Sequence, residues 1–181
     1  MKVHFIGIGG IGISGLAQFM HFKGHKVSGS DITDTIVTKK LRNLGIDVTV
    51  AHSADAITNQ DLVIHSAIIS PENPEIVSAK EKGIKILARR EALIELLQDK
   101  KVYSVAGAHG KSTTTAILTA IMSGSAIIGA ESNAFGSNVR YEANNNIMIF
   151  EADESDGSFV NSNPYCSIVI NAEPEHMEYY D

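Results

Sequence analysis

The run Gly107-Ala108-His109-Gly110-Lys111-Ser112-Thr113 brings together the residue types that hold a nucleotide phosphate. Glycines let backbone N–H groups close around phosphate oxygens, and a helix beginning near Lys111 offers unpaired N–H groups and the positive end of its dipole. The Lys111 ammonium would reach the β- and γ-phosphates, and the Ser112 hydroxyl would ligate Mg²⁺. The common phosphate loop has four residues between its glycines, whereas here only Ala108 and His109 separate Gly107 from Gly110.

A second glycine cluster, Gly7-Ile8-Gly9-Gly10-Ile11-Gly12, satisfies G-x-G-x-x-G, and Asp31 lies 19 residues beyond Gly12. In the dinucleotide-binding arrangement the glycine turn sets a helix N-terminus against a diphosphate, and the acid at the end of the next strand accepts from a ribose hydroxyl. A third cluster, Glu151-Ala152-Asp153-Glu154-Ser155-Asp156, places four carboxylates in six residues. Such crowding is costly without a cation, and Mg²⁺ takes oxygen ligands from one or two carboxylates beside substrate phosphates. Glu151, nearest the preceding apolar run, is the first choice of ligand, and a solvated acidic loop is the competing reading. Asn171-Ala172-Glu173-Pro174-Glu175-His176 follows another apolar run. His176 there is a candidate ligand for a second ion or a donor to phosphate.

The elements that must position these residues alternate. Strands are expected at 2–6, 25–30, 47–50, 61–65 and 84–87, with helices at 13–23, 35–44 and 74–82 and another opening at Arg89. This order predicts a parallel sheet with crossover helices. Ser66 follows the fourth strand at its carboxyl end, where ligands of open α/β sheets collect. Arg89-Arg90-Glu91 opens the last of these helices, and a cationic residue there could meet a phosphate or form a solvated helix start. The polar patch 98–101 marks a domain boundary, giving domains 1–98 and 99–181. Beyond it come a strand at 102–106, the phosphate cradle, a helix at 112–122 and strands at 147–150 and 166–170. Residues 124–146, rich in glycine, serine and asparagine, read as mobile loops around one short strand at 126–128.

With 44% hydrophobic and 20% charged residues in 181, the composition is that of a soluble globular chain. A net charge of −6 argues against a sequence-independent nucleic-acid surface. No apolar run approaches a membrane span, and the first glycine comes too early for a signal-peptide core. The single cysteine, Cys166, is read as a small buried hydrophobe in a reducing, cytoplasmic protein.

Taken together and in order, 7–12, 106–114, 151–156 and 171–176 resemble the Mur ligase family. The resemblance implies a Rossmann-like parallel-sheet domain followed by the first part of a P-loop-type α/β ATPase domain. It also accounts for the short cradle, since that family uses Gly-x-x-Gly-Lys-[Ser/Thr]-[Ser/Thr]. By similarity, Gly107, Ala108, His109, Gly110, Lys111, Ser112 and Thr113 would hold ATP, Ser112 and Glu151 one Mg²⁺, and His176 a second. Lys111, Glu151 and His176 would serve catalysis. Gly9, Gly10, Ile11, Gly12, Asp31 and Ser66 would face the UDP part of UDP-N-acetylmuramate, and an acyl phosphate formed with ATP would be captured by L-alanine in peptidoglycan precursor synthesis. The family's members are much longer, so the chain is expected to be an amino-terminal fragment that binds ligands without completing ligation. A nicotinamide-dependent oxidoreductase would explain the first glycine cluster and leave the second unexplained. The peptide-recycling ligase of the same family and a nucleotide-binding module without catalysis also compete for these motifs.

Overall fold

The computed structural model describes residues 1–133, 136–152 and 162–173. The chain divides into two compact units, Met1–Ala92 and Leu93–Asp181, each built on its own five-stranded sheet.

The first unit runs β1 (Lys2–Ile6), α1 (Ile11–Phe22), β2 (Lys26–Asp31), α2 (Ile36–Asn43), β3 (Asp47–Val50), a 3₁₀ turn (Ala54–Ala56), β4 (Leu62–His65), α3 (Pro74–Glu81), β5 (Lys85–Ala88) and the start of α4 (Arg89–Leu97). All five strands are parallel in the order β3-β2-β1-β4-β5. A parallel sheet is covered on both faces by its crossovers, so its strands are apolar on both sides. Val3, Phe5, Ile6, Val63 and Ile64 are accordingly all buried. Helix α1 buries Ile13, Leu16, Ala17 and Phe19. Asn73 caps α3 ahead of Pro74 at its first position, and Thr35 with Thr38 forms a capping box on α2. Gly29 has a packing role: a Cβ there would fall 2.5 Å from Ile8 Cδ1 and 2.7 Å from the Phe5 carbonyl oxygen.

The second unit carries β6 (Lys101–Ala106), α5 (Lys111–Ile121), β7 (Ser125–Ser132), β8 (Ser137–Arg140), β9 (Ile147–Glu151) and β10 (Cys166–Val169), in the order β10-β6-β9-β7-β8. Its core holds Val102, Val105, Ile127, Ile128, Met148, Ile149 and Phe150. Truncating a buried aromatic such as Phe150 to alanine costs about 3–5 kcal/mol.

Two expectations are corrected in this unit. The stretch read as loops around a short strand contains an antiparallel pair, β7 and β8, and β7 has eight residues. Its glycines and serines look like turn chemistry in isolation, yet the two segments satisfy each other's backbone groups. Arg140 then fastens the pair, donating to the carbonyls of Thr119, Met122 and Gly124 at the end of α5 and the turn beyond it. Cys166 is exposed, not buried. It lies on β10, the edge strand beside β6, where all four residues are exposed.

Candidate functional site

The expected phosphate cradle, the loop 107–110, leaves β6, which has β9 on one side and β10 on the other. Register sets Val105 beside Glu151 and Ala106 beside Val169, so the ends of both neighbours flank the loop. Gly107 and Gly110 have φ of +143° and +83°, a region that L side chains avoid and glycine adopts freely. Gly110 is also the N-cap of α5, and no side chain caps that helix. Gly110 itself thus offers the first-turn amides of α5 no side-chain acceptor.

Lys111 Nζ donates to the carbonyl oxygens of Gly107 at 2.7 Å and Ala108 at 3.1 Å, which folds its ammonium over the loop. Ser112 Oγ donates to Glu151 Oε1 at 2.9 Å, and Glu151 Oε2 accepts from the Gly129 amide of β7 at 2.6 Å. Lysine, serine hydroxyl and carboxylate thus converge on one loop. Beside them lies a cavity of about 300 Å³ lined by Ser112, Thr113, Ile117, Ile128, Glu131 and Asn133.

The far side of the loop is held by Asn171, just past β10. Its Oδ1 accepts from the His109 amide and its Nδ2 donates to the His109 carbonyl, both at 3.1 Å. A Cβ at Gly107 would lie 3.1 Å from that same Oδ1. The His109 ring points outward, with Nε2 3.7 Å from Glu173 Oε2. His109 therefore contributes mainly backbone to the cradle.

The glycine loop of the first unit has a parallel plan. It leaves β1, the middle strand, between β2 and β4. Gly7 turns at φ +78°, and a Cβ there would meet Ser66 Cβ at 3.2 Å, so Ser66 packs against the turn. Asp31 Oδ2 accepts from the Gly9 amide at 2.8 Å and Oδ1 from the Thr33 amide at 3.1 Å. Helix α1 begins at Ile11 with Gly10 as an N-cap that supplies no side-chain acceptor. The Arg89 guanidinium reaches the same helix start: a Cβ at Gly12 would fall 2.8 Å from its Cζ and Nη2.

The family model described as "Mur ligase family, catalytic domain" matches residues 2–101. The chain belongs to the Mur ligase family. It is 58% identical over 180 residues to the UDP-N-acetylmuramate--L-alanine ligase of Campylobacter curvus, covering 99% of this chain and 41% of that protein. Among solved structures it resembles the UDP-N-acetylmuramate-alanine ligase MurC of Thermotoga maritima, with a TM-score of 0.92, 35% identity, and 99% of this chain and 43% of that one covered. A peptide-adding neighbour by name, the UDP-N-acetylmuramate:L-alanyl-gamma-D-glutamyl-meso-diaminopimelate ligase of Neisseria meningitides, aligns with a TM-score of 0.87 at 26% identity, covering 99% of this chain and 63% of that one. The chain thus spans about two fifths of the length of the curated Mur ligases it matches.

Within this Mur ligase chain the structure joins the 107–113 loop to Glu151 through Ser112 in one unit, and in the other it sets Asp31 on Gly9 and Ser66 against Gly7 of the same glycine turn. His176 and the carboxylates Asp153, Glu154 and Asp156 lie outside the described residues. Among the described residues no group of three or more His, Cys, Asp or Glu side chains could hold a metal. No helix among them is long and apolar enough to cross a membrane. Sequence reasoning missed the Asn171 clamp and the Gly129 amide that orients Glu151. The only local signal for the clamp was an asparagine directly after a strand.

Proposed function

We propose that this chain provides the nucleotide-sugar and ATP-binding parts of an ATP-dependent ligase that joins L-alanine to UDP-N-acetylmuramate in the cytoplasm. The observation that carries the reading is the convergence of Lys111, Ser112 and Glu151 on one glycine loop. The division of labour follows the sequence: residues 1–98 take the UDP-sugar and residues from 99 onward take ATP. The higher identity to the alanine-adding structure than to the peptide-adding one favours L-alanine over a whole peptide.

In this reading the amides of the cradle and the first turn of α5 hold the ATP phosphates, and the Lys111 ammonium turns from the Gly107 and Ala108 carbonyls to the β- and γ-phosphates. An oxygen of the substrate carboxylate attacks the γ-phosphorus and ADP leaves. The alanine amine then attacks the acyl carbon and inorganic phosphate departs. Ser112 and Glu151 suit Mg²⁺, being hard oxygen donors within 2.9 Å of each other beside the phosphate loop. Mg²⁺ bound there would neutralise charge that develops on the transferring phosphoryl group. Lys111 stabilises the same charge from the loop. In the first unit, the glycine turn and the start of α1, where Gly10 brings no side-chain acceptor, take the diphosphate, with Asp31 and Ser66 shaping the loop beside it.

Titration calorimetry of the purified chain tests this directly. UDP-N-acetylmuramate and Mg·ATP should bind independently, each at one site per chain, and NAD should not compete with the UDP-sugar. Binding of NAD in place of the UDP-sugar would overturn the assignment in favour of an oxidoreductase.

A further inference from the structure

Glu75 lies in the first turn of α3 with its side chain wholly buried. Its carboxylate is met from three other segments. His4 Nε2 of β1 stands 3.2 Å away, Ser30 Oγ of β2 2.6 Å, and the Ser53 amide, ahead of the 3₁₀ turn, 3.1 Å. His52 Nδ1 lies 3.7 Å from Oε1 and 2.9 Å from Ser30 Oγ, and Ser28 Oγ lies 2.9 Å from His4 Nδ1.

The protons can be placed. An ionised carboxylate only accepts, so His4 Nε2 and the Ser30 hydroxyl donate to it. Ser30 has then spent its one proton, which makes His52 Nδ1 the donor to Ser30. A buried carboxylate is costly unless it is paired and hydrogen-bonded, and this one is held by a complete set of donors. None of these side chains belongs to the phosphate cradle or to the glycine loop itself.

The link to the loop is Ser30. Its carbonyl oxygen accepts from the amides of Gly7 at 2.8 Å and Ile8 at 3.0 Å. The next residue, Asp31, accepts from the Gly9 amide at 2.8 Å. Three successive loop amides therefore depend on where Ser30 and Asp31 sit, and the Ser30 side chain is tied to Glu75.

We infer that Glu75 is a positioning residue for the glycine loop: through Ser30 it holds the carboxyl end of β2 on which the amides of Gly7, Ile8 and Gly9 are anchored. The loop's form then depends on the charge of a carboxylate outside the loop. Burial pushes the Glu75 carboxyl up, but the hydrogen bonds from His4 and Ser30, with the histidine's charge and the Ser53 amide, outweigh it and hold it below the usual carboxylate range. A depressed folded value means that the brace is complete above the ordinary carboxylate range and is lost as pH falls through that lower value. The groups facing Glu75 through which pH could act are His4 of β1 and His52 ahead of the 3₁₀ turn.

The test is a pH series of amide spectra on the ¹⁵N-labelled chain without ligand, so that it does not depend on which nucleotide the loop takes. In the wild type the Gly7 and Ile8 signals should move together at an acidic titration. In Glu75→Gln they should be displaced at neutral pH and no longer follow that titration, with hydrogen exchange at both amides faster by about tenfold. Amides of β6 and β9 should not change. Ser30→Ala, which leaves Glu75 with His4 and Ser53, should reproduce the displacement, and it decides the matter if Glu75→Gln does not fold. A ligand arm rests on the proposed function: UDP-N-acetylmuramate should bind either variant about tenfold more weakly, and Mg·ATP equally well. Gly7 and Ile8 signals indifferent to pH and to Ser30→Ala would overturn the inference. A loop that responds as described in a chain that binds no UDP-sugar would uphold it and sink the proposed function instead.

Discussion

The Ser112 hydroxyl and the Glu151 carboxylate share a hydrogen bond of 2.9 Å between the start of α5 and the end of β9. The second carboxylate oxygen accepts from the Gly129 amide of β7 at 2.6 Å. The pair offers two hard oxygen donors on a shared side of the phosphate loop. Replacing Glu151 with glutamine keeps the shape but removes the charge. Glu151→Gln should lower the affinity for ATP about tenfold when Mg²⁺ is present and leave metal-free ATP binding unchanged or slightly tighter. Calorimetry across a Mg²⁺ series checks this; equal losses with and without metal would point to a purely structural carboxylate.

Asn171 clamps the loop from the opposite side through His109. Both bonds are solvent-exposed, so Asn171→Ala should cost only about 1 kcal/mol of the second unit's stability. The effect on ATP binding should be larger, because the His109 segment would lose the groups that fix it. All five tyrosines lie beyond residue 93 and the chain has no tryptophan, so tyrosine fluorescence follows unfolding of the second unit by itself. An unchanged ATP affinity would show that the cradle holds its form without the clamp.

Gly29 is pressed between Ile8 and the Phe5 carbonyl. The Phe5 oxygen belongs to a central strand and cannot move aside cheaply. Gly29→Ala should destabilise the first unit by about 1–3 kcal/mol. Circular dichroism should then show an earlier transition that tyrosine fluorescence does not. Superimposable melting curves for the variant and the wild type would mean that β1 and β2 adjust without strain.

Asp34 accepts from Arg42 Nη1 at 2.7 Å and from Thr38 Oγ1 at 2.9 Å. These two hydrogen bonds, that from Arg42 foremost, hold its carboxyl below the usual range. Its contribution is therefore present above the ordinary carboxylate value and is lost as pH falls through the folded one. Arg42→Ala should raise the Asp34 titration toward the ordinary value, as read from carboxyl carbon shifts. Because the pair is exposed, the melting temperature at neutral pH should hardly move. A large stability loss at neutral pH would point instead to the Arg42 bond with the Val48 carbonyl.

Most of the framework was legible along the chain. The β1 strand, the glycine turn at 7–12, β2 and Asp31 follow one another within 31 residues, and apolar runs broken by glycine specify such local pieces without help from the rest of the molecule. The same holds for β6, the glycine loop and α5, whose strand–turn–helix order is legible from residue types and spacing. Pairings were another matter. The family resemblance had set Ser112 with Glu151, which meet across 39 residues, but His109 meets Asn171 across 62 and His4 meets Glu75 across 71 with no such signal. Nothing local to either partner specifies such a meeting. Strand order and register decide it, because they choose which strand ends stand beside a loop and which side chains share a face of the sheet. Tertiary structure likewise exposed Cys166 on an edge strand and paired β7 with β8, since burial and backbone hydrogen bonding depend on neighbours that composition does not encode.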